Sequence, residues 1–174
     1  IKCTNIINTP PDYGLKRTVS NNIETAKLGQ GYNITYALNG GTASNPTTAA
    51  IDTVFKLNEP ARAGYTFLGW TATSIGPNAK RGSTDNPTTS WDGTRTTNTY
   101  FKNLTDTSSV TLIANWMKQN YLNVDTNTYY ETLNDAFSDV GGNETIRVVS
   151  SSVDESSNTA PTLANTKTGI KLDS

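Results

Sequence analysis

Tyr32, Ile34, Tyr36 and Leu38 alternate with Asn33, Thr35, Ala37 and Asn39, the period of two that a strand with one buried face requires. Asn39-Gly40-Gly41 ends the run with residues suited to the positive φ of a tight turn. A polar loop follows to Thr48. Residues 51–57 support two readings. Ile51, Val54 and Phe55 fit a helical stripe, whereas Phe55 and Leu57 fit a short strand, and Pro60 ends either. Ala63-Gly64-Tyr65-Thr66-Phe67-Leu68-Gly69-Trp70 carries large apolar groups on both faces, which predicts a central strand. Residues 71–98 form a long polar excursion with turn signals at Gly76-Pro77, Asn86-Pro87 and Asp92-Gly93. Val110-Thr111-Leu112-Ile113-Ala114-Asn115-Trp116 predicts a closing strand. Together these segments predict one core shared by Tyr36, Leu38, Tyr65, Phe67, Trp70, Leu112 and Trp116.

The pattern changes after Lys118. Tyr130, Leu133, Ala136, Phe137 and Val140 fall on one helical face, predicting a helix over 129–140 that stops at Gly141-Gly142. Strands follow at 145–149 and 169–173, and their Ile146, Val148, Ile170 and Leu172 are the expected cover for the helix. Ahead of the first strand, residues 1–30 are weakly patterned, with Pro10-Pro11-Asp12-Tyr13-Gly14 reading as a turn or linker.

Composition narrows the function. The chain has 14 Lys and Arg against 15 Asp and Glu, a net charge of −1. That argues against nucleic acid, which needs an extended run of clustered Lys and Arg, and against a polybasic membrane contact. No apolar stretch approaches the roughly 18 residues of a membrane-spanning helix. Roughly 30 Thr, about 20 Asn and about 14 Ser point to many short strands joined by polar turns. A single cysteine, Cys3, rules out an internal disulfide.

Ile34 to Gly41, then Leu57 and Pro60, then Arg62 to Trp70, and finally Val110 to Trp116 resemble the internalin B-repeat, or Listeria–Bacteroides repeat, over about residues 32–117. The Gly-Tyr-Thr-Phe-x-Gly-Trp block is the specific part. The family reaches its last strand in fewer residues than 71–109 provide, so the excursion departs from the pattern. The resemblance implies a small β-grasp-like module, set in tandem in secreted or wall-anchored bacterial proteins as a stalk or adhesive unit. Residues 129–137, 145–148 and 167–173 resemble the start of a right-handed parallel β-helix, in which a short helix caps the first coil. The fold class expected is therefore α+β, mostly β. Residues 1–30 are a leader or the end of a preceding module, 31–118 an internalin-type B repeat, and 119–174 a helix-capped β module, incomplete as it stands.

Chemistry is scarce. No histidine is present, which removes the commonest general base, His-dependent triads and most catalytic zinc sites. Asp85, Asp92, Asp154 and Glu155 are carboxylates with no motif to bind them into a catalytic pair. Asp125-Thr126-Asn127 and Asp85-Asn86 offer oxygens to calcium but do not continue into an EF-hand, and Asx-rich turns explain them equally. No catalytic residue, cofactor or metal is expected. Asn33, Asn103 and Asn143 open Asn-x-Thr sequons, which chance supplies in so Asn- and Thr-rich a chain. A Lys–Asn cross-link of the kind found in some surface proteins would need a buried Lys, Asn and carboxylate together. Trp91 stands outside the repeat motif, beside Asp92-Gly93. It is either an exposed anchor for a sugar or partner, with Tyr100, or a ring folded back over the module's edge. The expected role is a non-enzymatic extracellular spacer or adhesion module. Its expected partners are a host or cell-surface protein or carbohydrate and neighbouring repeats of the same chain, with neither nucleic acid nor a membrane span.

Overall fold

The structure is a computed structural model that describes residues 31–153 in full and, as backbone alone, the strands at 15–20, 23–28 and 171–173. Cys3, Asp154, Glu155 and Ile170 lie outside the described residues. The described chain divides into two compact units, one running to Pro60 and resuming over Gly69–Asn115, the other combining Ala61–Leu68 with the chain from Trp116 onward.

Strands β1 (Leu15–Ser20) and β2 (Ile23–Leu28) pair antiparallel. The next sheet has the order β4-β3-β10-β6, built from β3 (Gly31–Ala37), β4 (Thr48–Ala50), β6 (Tyr65–Thr73) and β10 (Ser109–Lys118). β3 and β4 form the antiparallel pair on either side of the glycine turn, and β10 returns parallel to β3 with Val110 opposite Ile34 and Leu112 opposite Tyr36. The alternation seen in sequence is the alternation in burial: Tyr32 and Ile34 are buried, Asn33 and Thr35 exposed. On β10 the buried set is Val110, Leu112 and Ala114.

β6 corrects one expectation, because it ends the sheet order and is not central. Gly69, at φ +121°, lies between Phe67, which meets Trp116, and Trp70, which meets Tyr36, so large groups are packed on this strand although it is not central. Its edge is nevertheless covered. Trp70 N–H donates to Thr96 O at 2.8 Å, Thr96 N–H returns to Trp70 O at 2.9 Å, and Ala72 N–H donates to Gly93 O at 2.9 Å. A Cβ on Gly69 would lie 2.5 Å from the Thr96 carbonyl oxygen, so glycine is required there for space as well as for φ.

The excursion is not a plain loop. β5 (Val54–Lys56), β7 (Lys80–Gly82), β8 (Thr89–Ser90) and β9 (Tyr100–Lys102) make a further antiparallel sheet in the order β5-β9-β7-β8. Residues 51–57 thus settle as a turn and a short strand, with Leu57 buried. The first unit buries Tyr32, Ile34, Trp70, Trp91, Phe101, Leu104 and Leu112. Tyr36 packs edge-on against Trp70, their ring centres 5.8 Å apart.

In the second unit, β11 (Tyr121–Asn123), β12 (Thr128–Tyr130), β13 (Thr145–Val148) and β14 (Lys171–Asp173) form a sheet in the order β12-β11-β13-β14. Its helix α1 (Leu133–Asp139) is shorter than the periodicity suggested. Tyr129 and Tyr130 belong to β12, and Thr132 caps the helix by accepting from the Asp135 amide at 3.1 Å. Tyr121, Tyr130, Ala136, Val140 and Ile146 make the core, with Leu133 and Phe137 packed against it. Val148, expected inside, sits at the end of β13 and is 38% exposed. Phe67 meets Trp116 edge-on in this unit at 5.5 Å.

The seven residues expected to share one core therefore divide: Tyr36, Leu38, Trp70 and Leu112 fall in the first unit, Tyr65, Phe67 and Trp116 in the second. The reason is length. Strands of nine and ten residues run roughly 30 Å at about 3.3 Å per residue, longer than one small core.

Candidate functional site

The sheet β5-β9-β7-β8 carries both aromatic residues singled out in the sequence, and strand alternation separates them. Phe101 lies directly opposite Phe55 on one side and Arg81 on the other, and faces inward. Tyr100, its neighbour, faces the other way and is half-buried, with the Lys56 ammonium 5.6 Å from its ring centre.

Trp91 follows β8 and turns in. It is 3% exposed, its ring tilts against Phe101 at 5.0 Å, and its Nε1–H donates to Thr94 O at 2.6 Å. Its own amide donates to Ala79 O at 3.0 Å. The arrangement is that of a ring folded back over the module, with Phe101 against the surface a sugar would need for stacking. The turn after it is locked. Asp92 Oδ1 accepts from the Thr94 amide at 3.0 Å and the Thr94 hydroxyl at 2.6 Å, and Gly93 suits its place both by its φ of +90° and because a Cβ there would fall 2.6 Å from Ala72 O. The Thr94 hydroxyl, its amide and then the Arg81 charge hold the Asp92 carboxyl below its ordinary pKa. Asp92 thereby serves the turn.

Two open concavities flank this sheet. One, of about 850 Å³, is lined by Ser74, Arg81, Ser90, the edge of Trp91, Asp92 and Thr94 among others. Arg81 is tied inward, donating from Nη1 to Thr96 Oγ1 at 2.8 Å and Asn98 Oδ1 at 3.3 Å, while its Nε is buried without a partner. The other, of about 510 Å³, lies beside Asp52, Asn78, Lys80, Thr88, Lys102 and Asn103. Sequence reading passed over Phe101, Arg81 and the lysines. Two- and three-residue strands show no periodicity, so only the pairing register reveals which side chains share a face.

Among the described residues no group of three or more His, Cys, Asp or Glu comes together to hold a metal. Asp125, a calcium candidate, accepts at Oδ2 from the Thr145 amide at 2.7 Å, and Asn123 Oδ1 accepts from the Asp125 and Thr126 amides, which is an Asx turn. Asp85 and Asn86 stand exposed between β7 and β8. Lys102, Asn103 and Asp52 do converge. Asp52 Oδ1 is 3.7 Å from Lys102 Nζ and accepts from Asn103 Nδ2 at 3.1 Å. The Lys102 and Asp52 side chains are 31% and 46% exposed, not the dry setting a Lys–Asn cross-link needs.

The edge of β6 at Gly69-Trp70, the parallel return of β10 and the glycine turn after β3 are where the residues of the sequence motif lie in the fold. Residues 32–115 match the Listeria-Bacteroides repeat domain. The repeat thus spans β3 to β10 and includes the whole excursion. No curated protein and no solved structure gives a significant match. The repeat's family belongs to bacterial surface proteins, and among the described residues no helix is long and apolar enough to cross a membrane.

Proposed function

We propose that the repeat is a non-catalytic structural module, a spacer or adhesion unit, of a protein secreted by a bacterium or held at its wall. The observation that carries this reading is the fate of the motif. Tyr32, Ile34, Trp70 and Leu112 are packed, Gly69 serves a close backbone approach, and Asp92 is engaged in a turn. Residues used in that way hold a shape, and a module whose β6 edge is covered suits tandem use outside the cell. In the same reading the first sheet is β-grasp-like, supported by the parallel β3–β10 pair flanked by β4 and β6, and the parallel β13–β14 pair supports a β-helix-like start for the tail. The repeat then ends near Lys118, with neighbouring modules as its partners. A second reading, a carbohydrate- or protein-binding module, is favoured at Tyr100, which stays half-exposed, more than at Trp91. The test is antibody labelling of residues 32–115 on intact cells of the bacterium that encodes the chain. Labelling before lysis is expected. Labelling only after lysis would overturn the location, and polysaccharide or peptide turnover abolished by replacing one carboxylate would overturn the non-catalytic reading.

A further inference from the structure

We infer that the outer face of the sheet β5-β9-β7-β8 binds an acidic polysaccharide through Lys56, Lys80 and Lys102. The inference goes beyond the spacer role and does not depend on it. The register carries it. Lys102 lies directly opposite Lys80 across β9 and β7 and opposite Val54 across β9 and β5, and Tyr100 lies opposite Lys56 two residues along. Residues directly opposite in an antiparallel pair share a face at about 5 Å, and like charges placed there destabilise the sheet. Three ammonium groups are thus gathered on a small sheet of a chain whose net charge is −1.

Their local partners do not neutralise them. Lys80 Nζ donates to the Ser90 hydroxyl at 2.8 Å, Lys56 stands over the Tyr100 ring, and among the described residues only Lys102 of the three has a carboxylate, Asp52, at 3.7 Å. Lys80 and Lys102 border the 510 Å³ concavity, where Asn78, Thr88 and Asn103 supply amide and hydroxyl groups. Ammonium groups beside amides and a hydroxyl match a carboxylated or sulfated sugar, the charges meeting the acid groups and the neutral groups meeting hydroxyls. Asn103 is held in place: its Oδ1 accepts from the Asp52 amide at 2.6 Å while its Nδ2 donates to the Asp52 carboxylate. Nucleic acid fits less well, because the near-zero net charge gives no extended basic surface to follow a phosphate backbone.

The test uses the whole chain at low salt with polygalacturonate as the carboxylated probe, heparin as the sulfated one, dextran as the neutral control and single-stranded DNA as the competing polyanion. Binding to one or both acidic polysaccharides and not to dextran is expected, and which one binds identifies the acid group. The Lys80→Gln, Lys102→Gln double variant should bind roughly tenfold to a hundredfold more weakly, while Arg95→Gln, an exposed cation elsewhere, should bind as the parent does. Without ligand, Lys80→Gln alone should melt at or above the parental temperature, because a like-charge pair is relieved. No binding to either acidic polymer, equal loss in Arg95→Gln, DNA bound as tightly as the polysaccharides, or a lower melting temperature for Lys80→Gln would each overturn the inference.

Discussion

Replacing Trp91 by alanine asks whether that ring is part of the core or a surface anchor. The ring is 3% exposed and lies 5.0 Å from Phe101, with its Nε1–H on Thr94 O. A buried aromatic side chain withdraws about 150–250 Å² from water, worth ~4–6 kcal/mol at about 25 cal/mol per Å², an upper bound against a compact unfolded chain. Alanine also leaves a cavity beside Phe101, whereas Thr94 is exposed and its carbonyl regains water, so the hydrogen bond adds little. The expected cost is about 4 kcal/mol. Urea unfolding followed by far-UV circular dichroism reads it without depending on the lost fluorophore. With an m-value of about 2 kcal/mol/M the midpoint should fall by ~2 M. Trp91→Phe keeps most of the ring and should cost only about 1–2 kcal/mol. A Trp91→Ala midpoint equal to the parent's would refute the packing argument and return Trp91 to the role of an exposed anchor.

Gly69→Ala should cost ~3 kcal/mol, from a disallowed φ and the displacement of the Trp70–Thr96 bridge, and an unchanged melting temperature would show that β6 does not meet residue 96. Thr132→Ala removes the helix cap and should cost about 1 kcal/mol in the second unit; helicity and midpoint unaltered would contradict the cap. Tyr32 is buried, with its hydroxyl oxygen accepting from the Leu104 amide, and desolvation pushes its pKa up to about 12. The protonated phenol is then favoured by the fold. Its stabilising contribution is complete below the unfolded value near 10 and is lost as pH rises towards 12. Tyr130 behaves likewise through burial and its bond to Asp139, so phenolate absorbance should lag behind that of the unfolded chain, and coincident curves for a still-folded chain would refute it.

The long strands were legible because each repeats its pattern over enough residues to declare a face. β3 alternates in burial from Tyr32 to Thr35 and β10 buries Val110, Leu112 and Ala114 in turn, and the Gly-Tyr-Thr-Phe-x-Gly-Trp block marks β6. What the pattern left hidden has physical causes. β6 ends its sheet order but is covered by Gly93 and Thr96, so a strand with large groups on both faces need not be central. β5, β7, β8 and β9 have two or three residues each and exist through pairing with distant segments, which no local period reports. Thr132-Leu133-Asn134-Asp135 carried a start signal for α1, and reading it would have stopped the helix from absorbing Tyr129 and Tyr130. The site shows the same division. Trp91 and Tyr100 stood out as residues, but only the fold places Phe101 beside Trp91 and sets three lysines on the face that carries Tyr100.

That residues 71–98 are built into the repeat, and are not a loop carried on it, is tested most directly by hydrogen exchange resolved along the chain. The amides of Trp70, Ala72, Trp91 and Thr96 each donate within this assembly. They should be protected as strongly as those of Ile34 and Leu112 and should open with them in one transition. Exchange of Trp91 and Thr96 at the rate of an unstructured chain, while Ile34 and Leu112 stay protected, would contradict it.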